Sequence, residues 1–217
     1  MDYLTFDPKR LIISLDKINM ATAVDIYGKY NDTVGGFKIN HASFNDIPTG
    51  SRNVMADFKL IDIPETIGNV LEYLINLKVT YVTIYTHNSQ SAFEACKHYS
   101  DKIKLLGVTY LTSWTHNESY WIHNKGIGSM FERSIELMER FNFYGAITSA
   151  QDLIYFKDSK LKTFCPGCRF KDDIAGDQVR ISTPEDAIEN GADYIIMGRP
   201  IISRYKQEID YYNRQKG

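Results

Sequence analysis

The stretch Asn53-Val54-Met55-Ala56-Asp57-Phe58-Lys59-Leu60-Ile61-Asp62-Ile63-Pro64-Glu65-Thr66 reads as a strand running into a helix. Asn53 to Leu60 is short and rich in apolar residues, the pattern of a strand buried in a parallel sheet. Pro64 stands where a helix starts, because its missing N–H is not needed in the first turn. Beyond it, Thr66 to Leu77 sets Ile67, Val70, Leu71 and Leu74 on one helical face. Outward from this unit the same alternation repeats, with further candidate strands at Leu11 to Asp16, Val34 to Asn40, Tyr81 to Thr86, Lys104 to Leu111, Tyr144 to Ser149, Lys162 to Pro166 and Tyr194 to Arg199. Met130 to Phe141 reads as a second outer helix, with Phe131, Ile135 and Met138 on its apolar face. At Thr183-Pro184-Glu185-Asp186, Thr183 caps a helix, Pro184 takes its first position and the acids face the positive end of the dipole. Strands alternating with helices in a chain of 217 residues predict an α/β protein, a single (β/α)8 TIM barrel over residues 1–217, although periodicity alone also allows an open doubly wound sheet. Ile39 to Ala56 contains the breakers Pro48 and Gly50, tight quarters for a full helix, so this reading allows a shortened or missing second helix.

A formal net charge of -2 gives no electrostatic footprint for nucleic acid or an anionic membrane, which leaves a small molecule as the expected partner. The start, MDYLTFDPKRLIISLD, lacks the basic-then-apolar pattern of a signal peptide, and no apolar run approaches the ~20 residues of a membrane span, so a cytoplasmic protein is expected. Cys96, Cys165 and Cys168 are too few for a disulfide framework, and reduced thiols are expected. Cys165 and Cys168 form a CxxC, but no second CxxC or paired histidines complete a zinc site. His41, His87 and His98 have no metal-ligand spacing, and the loop Thr112 to Gly128, despite two tryptophans and two histidines, reads as a capping loop before a base-stacking platform or a metal site.

In such a barrel the chemistry sits at the C-terminal ends of the strands. Asp16 closes the first candidate strand, Lys38 lies near the end of the second, and Asp57 and Lys59 lie near the end of the third with Asp62 just beyond. Asp57 and Lys59 are two apart and so share a strand face, which in a closed barrel can be the interior, where alternating signs let buried charges pair. Each taken singly reads as a surface ion pair; together, all at strand ends, they read as one cluster. The loops after strands seven and eight carry Cys165-Pro166-Gly167, Gly176-Asp177-Gln178-Val179-Arg180 and Gly198-Arg199-Pro200-Ile201. Backbone N–H groups at glycine and at a helix start, with the Arg199 guanidinium and the Gln178 amide, form a candidate phosphate grip.

The run from Ala56 to Thr66 resembles the D-x-K-x-x-D-I-P-x-T signature of orotidine 5'-monophosphate decarboxylases. The likeness extends to Leu15-Asp16, Phe37-Lys38, Leu111-Thr112-Ser113, Ser149-Ala150-Gln151, Pro166-Gly167 with Arg169, and the two phosphate-loop segments. Barrels that decarboxylate keto-sugar phosphates, or condense formaldehyde with a pentose phosphate, share the D-x-K-x-x-D core and typically use Mg2+. The Ile63-Pro64 and Thr66 continuation with Gly176-Asp177-Gln178 favours the nucleotide decarboxylase. That resemblance implies conversion of orotidine 5'-monophosphate (OMP) to UMP in pyrimidine biosynthesis, with no metal or other cofactor, by a homodimer with shared active sites. It implies that Lys59 stabilises a C6 carbanion and delivers its proton, in a charge row Lys38, Asp57, Lys59 and a neighbouring subunit's Asp62. It places Asp57 against the departing carboxylate, Asp16 and Lys38 near the ribose, Ser113 on the pyrimidine amide edge, and Ile63 and Thr66 across the subunit boundary. Gln178, Gly198 and Arg199 are implied at the substrate's phosphate and Pro166 among the substrate-binding residues, under a lid from Cys168 to Asp177. A Mg2+-dependent sugar-phosphate lyase and a catalytically silent nucleotide binder are the alternatives.

Overall fold

The computed structural model describes residues 1, 4–16, 18–41, 53–111, 116–123, 126–173 and 182–216, apart from the side chains of 116, 119, 122, 123 and 211–216. Eight parallel strands close into a barrel in sequence order: β1 (Leu11–Ser14), β2 (Gly36–Ile39), β3 (Val54–Leu60), β4 (Tyr81–Tyr85), β5 (Lys104–Val108), β6 (Gly145–Ile147), β7 (Lys162–Pro166) and β8 (Tyr194–Met197). Leu11 pairing with Ile195 brings β1 against β8 and leaves no free sheet edge. Each strand falls within an apolar run read from the sequence, trimmed by a residue or more at the ends in every case but β7. The trimmed residues, Asp16 among them, are those that leave the ladder to form the rim.

Period-two alternation divides the strand side chains between two cores. Ile12, Met55, Tyr81, Leu106, Val108, Ile147, Phe164 and Ile196 fill the barrel interior. Their neighbours along the strands, such as Leu11, Ile13, Val82, Ile84, Leu105 and Ile195, face outward against the helices. The outer layer comprises α1 (Met20–Tyr30), α2 (Pro64–Asn76), α3 (Gln90–Tyr99), α4 (His116–His123), α5 (Ile127–Arg140), α6 (Pro184–Glu189) and α7 (Arg199–Lys216). Helix α2 starts on Pro64, as its sequence requires, and buries Ile67, Leu71 and Leu74. Helix α6 carries a full capping box: Thr183 accepts from the Asp186 backbone N–H while the Asp186 side chain accepts from that of Thr183.

Two departures from a regular alternation position the site. Between β6 and β7 the helical segment is a 3-10 turn set, Ala150–Phe156, in place of an α-helix. In β3 the register against β4 slips, since Ala56 pairs with Val82 but Leu60 with Ile84, so Asp57, Phe58 and Lys59 bulge out of the ladder. Residues 42–52, where the second helix was expected to be short or missing, lie outside the described residues.

Candidate active site

The bulge in β3 is the local cause of the site. Lys59 has a φ of 48°, the left-handed region that side chains with a Cβ rarely occupy. Its backbone N–H is caught by Thr83 Oγ1 at 2.8 Å, and that hydroxyl donates in turn to Asp57 Oδ1 at 3.1 Å. Thr83 is fully buried on β4. It ties the bulged backbone and the carboxylate to a rigid strand. Asn88 Nδ2 holds the next carbonyl, that of Leu60, at 3.1 Å.

Four charges run in a chain from this point. Lys59 Nζ donates to Asp57 Oδ1 at 2.8 Å, Lys38 Nζ to Asp57 Oδ2 at 3.0 Å, and Lys38 Nζ to Asp16 Oδ2 at 2.5 Å. Lys38 and Asp57 are the enclosed members, with 10% and 14% of their side chains exposed, whereas Lys59 keeps 39%. Lys59 is thus the cation that a bound molecule can reach. Burial by itself would raise the Asp57 carboxyl's pKa, but Lys38 and Lys59 hold it below the ordinary carboxylate value. Burial would likewise lower the Lys38 ammonium, yet Asp57 and Asp16 keep it above the ordinary lysine value. Both stay charged through the neutral range. The second oxygen of Asp16, Oδ1, is buried with no hydrogen-bond partner among the described residues, an acceptor open to a ligand hydroxyl.

The cluster forms one wall of a cavity of about 820 Å³ at the C-terminal face. Pro166, Gly167, Gly198 and Arg199 line it from the ends of β7 and β8, next round the barrel from β1, and Tyr110, Ile147 and Ile196 are among the apolar lining. Gly167 has a φ of 89°, which turns the chain sharply out of β7. A Cβ on Gly198 would sit 3.2 Å from that of Ser14, so β8 and β1 approach closely just where α7 begins. Arg199, exposed, is the first residue of α7, whose positive dipole end favours an anion. Cys168 bridges to Ser182 and the Arg169 N–H donates to the Ser182 carbonyl at 3.0 Å, closing the base of the loop between them. Arg204 on α7 reaches that base, bonding Asp173 at 2.9 Å and lying 4.0 Å over the Phe170 ring.

The structure therefore gathers Asp16, Lys38, Asp57 and Lys59, from the ends of β1 to β3, and Pro166, Gly198 and Arg199, from the ends of β7 and β8, around one cavity. It does not bring Asp62, Ile63 or Thr66 into that cavity. Asp62 accepts only from the Ile63 N–H among the described residues, and Ile61 and Ile63 project with 59% and 62% exposure. Ser113, Gln178 and the 174–177 portion of the lid lie outside the described residues, as does the rest of Gly176 to Arg180. Ser149 is buried and donates to Asp152 at 2.6 Å, which also accepts from Tyr110 at 3.0 Å, so it braces the cavity wall. Thr83 is the functional position not singled out from the sequence. Its signal was a polar residue at an inward position of β4, between Tyr81 and Tyr85. Cys165 and Cys168 are buried, and burial pushes both thiols up, Cys168 to about 12.

A family model described as "Orotidine 5'-phosphate decarboxylase / HUMPS family" matches residues 9–209. An orotidine 5'-phosphate decarboxylase of Carboxydothermus hydrogenoformans is 30% identical over 224 residues, covering 93% of this chain and 92% of that one. One from Rhodopseudomonas palustris strain BisA53 is 28% identical over 204 residues, covering 88% and 87%. Among solved structures, orotidine 5'-phosphate decarboxylases from Lactobacillus acidophilus and Pyrococcus horikoshii OT3 superpose with TM-scores of 0.72 and 0.69, at 20% and 23% identity, each covering 89% of this chain and 92% and 91% of theirs. These two likenesses speak to the fold, and the family match and the curated relatives speak to descent. The chain belongs to the orotidine 5'-phosphate decarboxylase / HUMPS family.

Proposed function

We propose that this chain, as one barrel domain over its whole length, decarboxylates OMP to UMP in the cytoplasm, without a metal or other cofactor. The observation that carries the reading is the row Asp16, Lys38, Asp57, Lys59, with its most accessible cation facing a cavity that an arginine-headed helix start also lines. In the reaction the C6–carboxylate bond breaks, CO2 leaves, and the electron pair stays on C6 in an orbital orthogonal to the ring π system. Resonance cannot spread that charge, so fixed electrostatics must stabilise it. Lys59 Nζ supplies a preorganised positive charge at C6 and then its proton, giving UMP. Asp57 orients Lys59 and lies against the departing carboxylate. Asp16 Oδ1 accepts from a ribose hydroxyl, and Lys38 holds both acids in place. Arg199, Gly198 and Gln178 grip the phosphate, Pro166 lines the cavity against the substrate, Ser113 reads the pyrimidine amide edge, and the loop from Cys168 to Asp177 closes over them. Phosphate binding far from C6 can be expressed as rate when it drives that closure.

The cavity-facing acids disfavour the Mg2+-dependent reading. Lys38 Nζ occupies the space between Asp16 and Asp57 where a divalent cation would have to bridge them. Asp62, Ile63 and Thr66, which face away from this chain's own cavity, complete the site of a second subunit in a homodimer; the exposed Ile61 and Ile63 support that placement. The loss of OMP absorbance, followed with purified protein with and without EDTA, tests the proposal. Chelator-resistant formation of UMP is expected. OMP turnover abolished by EDTA overturns the metal-free reading; no OMP turnover overturns the decarboxylase itself, pointing to a silent binder where UMP binds and to a sugar-phosphate lyase where it does not.

A further inference from the structure

A second cavity, of about 790 Å³, opens on the N-terminal face of the barrel, opposite the candidate active site. Its size is that of a small-molecule site, for which ~300–1,000 Å³ is usual. The walls come from the starts of β4 to β7 and the connections that follow α2, α3 and α5. Five lysines line it, Lys78, Lys102, Lys104, Lys160 and Lys162, and Asp101 is the one acid among its lining residues. This concentration of positive charge stands on a chain whose formal net charge is -2.

Little of that charge is spent within the fold. Lys162 bonds Asp193 at 2.8 Å. Lys104 Nζ rests on ring faces, 4.4 Å from the Tyr144 centroid and 5.2 Å from that of Tyr81, with no carboxylate partner among the described residues. Lys78, Lys102 and Lys160 have no ion pair among the described residues. The plain alternative is that the lysines answer the negative ends of α2, α3 and α5. Three such ends supply about one and a half negative charges, fewer than the lysines bring even after Asp101 is set against them. The backbone adds an independent observation. Lys78 and Asn142, just past α2 and α5, have φ of 60° and 61°. Glycine occupies that left-handed position most cheaply and asparagine next, so Lys78 is the one that keeps a charged side chain at the groove against backbone strain. Asn142 is also fixed there, its Nδ2 donating to Ser100 Oγ at 3.0 Å.

We infer that this groove binds a polyphosphate anion, either inorganic or the phosphate chain of a nucleoside di- or triphosphate, at a site separate from the active site. The lysines belong to successive connections that lead into β4, β5 and β7 and to the first residues of β5 and β7, and they line a groove instead of meeting at one point, which suits several linked phosphates better than one. Lysine serves such a ligand as a point charge. Binding that rests on exposed ammonium groups weakens steeply with salt.

Calorimetric titration of the full chain at low ionic strength with inorganic tripolyphosphate, and separately with ATP, tests the inference. One site is expected, with binding weakened tenfold or more by the combined substitutions Lys78→Gln, Lys102→Gln and Lys160→Gln, and unchanged by Arg199→Gln on the other face. Tighter binding of ATP assigns the site to nucleotides; equal binding assigns it to the bare polyphosphate. Absence of binding at millimolar concentration, or loss on Arg199→Gln with the triple substitution silent, overturns it. Acetylation footprinting of the unaltered protein needs no variant: tripolyphosphate is expected to protect Lys78, Lys102 and Lys160, and protection of the active-site-facing Lys206 in their place overturns the inference.

Discussion

The proposed reaction asks two things of Lys59 that pull against each other: to stay charged beside C6 and to give up a proton there. The fold meets both by leaving it more exposed than Lys38 while pinning it to Asp57. Lys59→Ala is expected to lower kcat for OMP by several orders of magnitude while UMP binding, measured by calorimetry, persists; unchanged turnover would exclude Lys59 as the proton donor. Thr83→Val keeps the shape but leaves the Lys59 N–H without its acceptor and takes from Asp57 Oδ1 one of its two donors, the other being Lys59 Nζ. It is expected to cost about 1–3 kcal/mol in denaturant unfolding and about 10- to 100-fold in kcat through misplacement, with KM little changed and Thr83→Ser restoring most of the loss. The ionisations predict a flat response over the neutral range. Asp57, held low, contributes stability above the ordinary 3.8 and loses it only as pH falls through its lower folded value. Lys38, held high, contributes below 10.5 and loses it only as pH rises through its higher folded value. The acid limb of kcat/KM is therefore expected near pH 6, where a phosphate monoester takes up its second proton; a limb between pH 7 and 9 that disappears on changing Lys38 would contradict this. Asp16, Lys38, Asp57 and Lys59 were legible because charges at the ends of apolar strands are costly to enclose unless they pair with one another. Thr83 was not, because a threonine in a strand is ordinary and only its tertiary neighbours give it a role.

At the scale of elements, the strands were legible for a reason peculiar to parallel barrels: both faces of each strand are buried, so each reads as an apolar run. The bulge in β3 was not, since register is a relation between two strands and Asp57-Phe58-Lys59 carries no glycine to announce it. Nor was the 3-10 segment after β6, whose short run Ala150–Phe156 does not distinguish the two helical periods. The capping box of α6 was readable as Thr183-Pro184-Glu185-Asp186, and Thr183→Ala is expected to cost about 1 kcal/mol, seen as a lowered thermal midpoint with kcat unaffected. The same length of chain holds a more consequential link. Arg204 joins α7, which begins with the cavity-lining Arg199, to Phe170 and Asp173 at the base of the loop. Arg204→Met retains an apolar stem over Phe170 but loses the fork to Asp173. An increase in KM for OMP of about tenfold, equivalent to ~1.4 kcal/mol, is expected, with a smaller change in kcat; an unaltered KM would show that the base of the loop is held without it.

For the whole molecule the decisive question is where Asp62 acts. The D-x-K-x-x-D spacing puts it three residues after Lys59, yet the chain turns away between them, and Asp62 ends up exposed beside Ile61 and Ile63 and outside the cavity that Lys59 lines. On the proposed mechanism this acid is needed at the reaction centre, and its absence from its own subunit's cavity points to a second copy as its source. In a two-fold dimer each site then takes Lys59 from one chain and Asp62 from the other. Two inactive variants, Lys59→Ala and Asp62→Ala, should therefore complement. In a mixed dimer both lesions fall in one site, and the other keeps the intact Lys59 of the Asp62→Ala chain and the intact Asp62 of the Lys59→Ala chain. Equal amounts of the two variants, co-expressed or dissociated and reassociated together, are expected to recover about a quarter of the unaltered activity, since half of randomly formed dimers are mixed and each has one working site. The measurement is the OMP decarboxylation rate of the mixture against each variant alone. Recovery places Asp62 across the interface. A mixture no more active than its parts would place it in its own subunit, and the 61–63 turn would then have to fold inward when substrate binds.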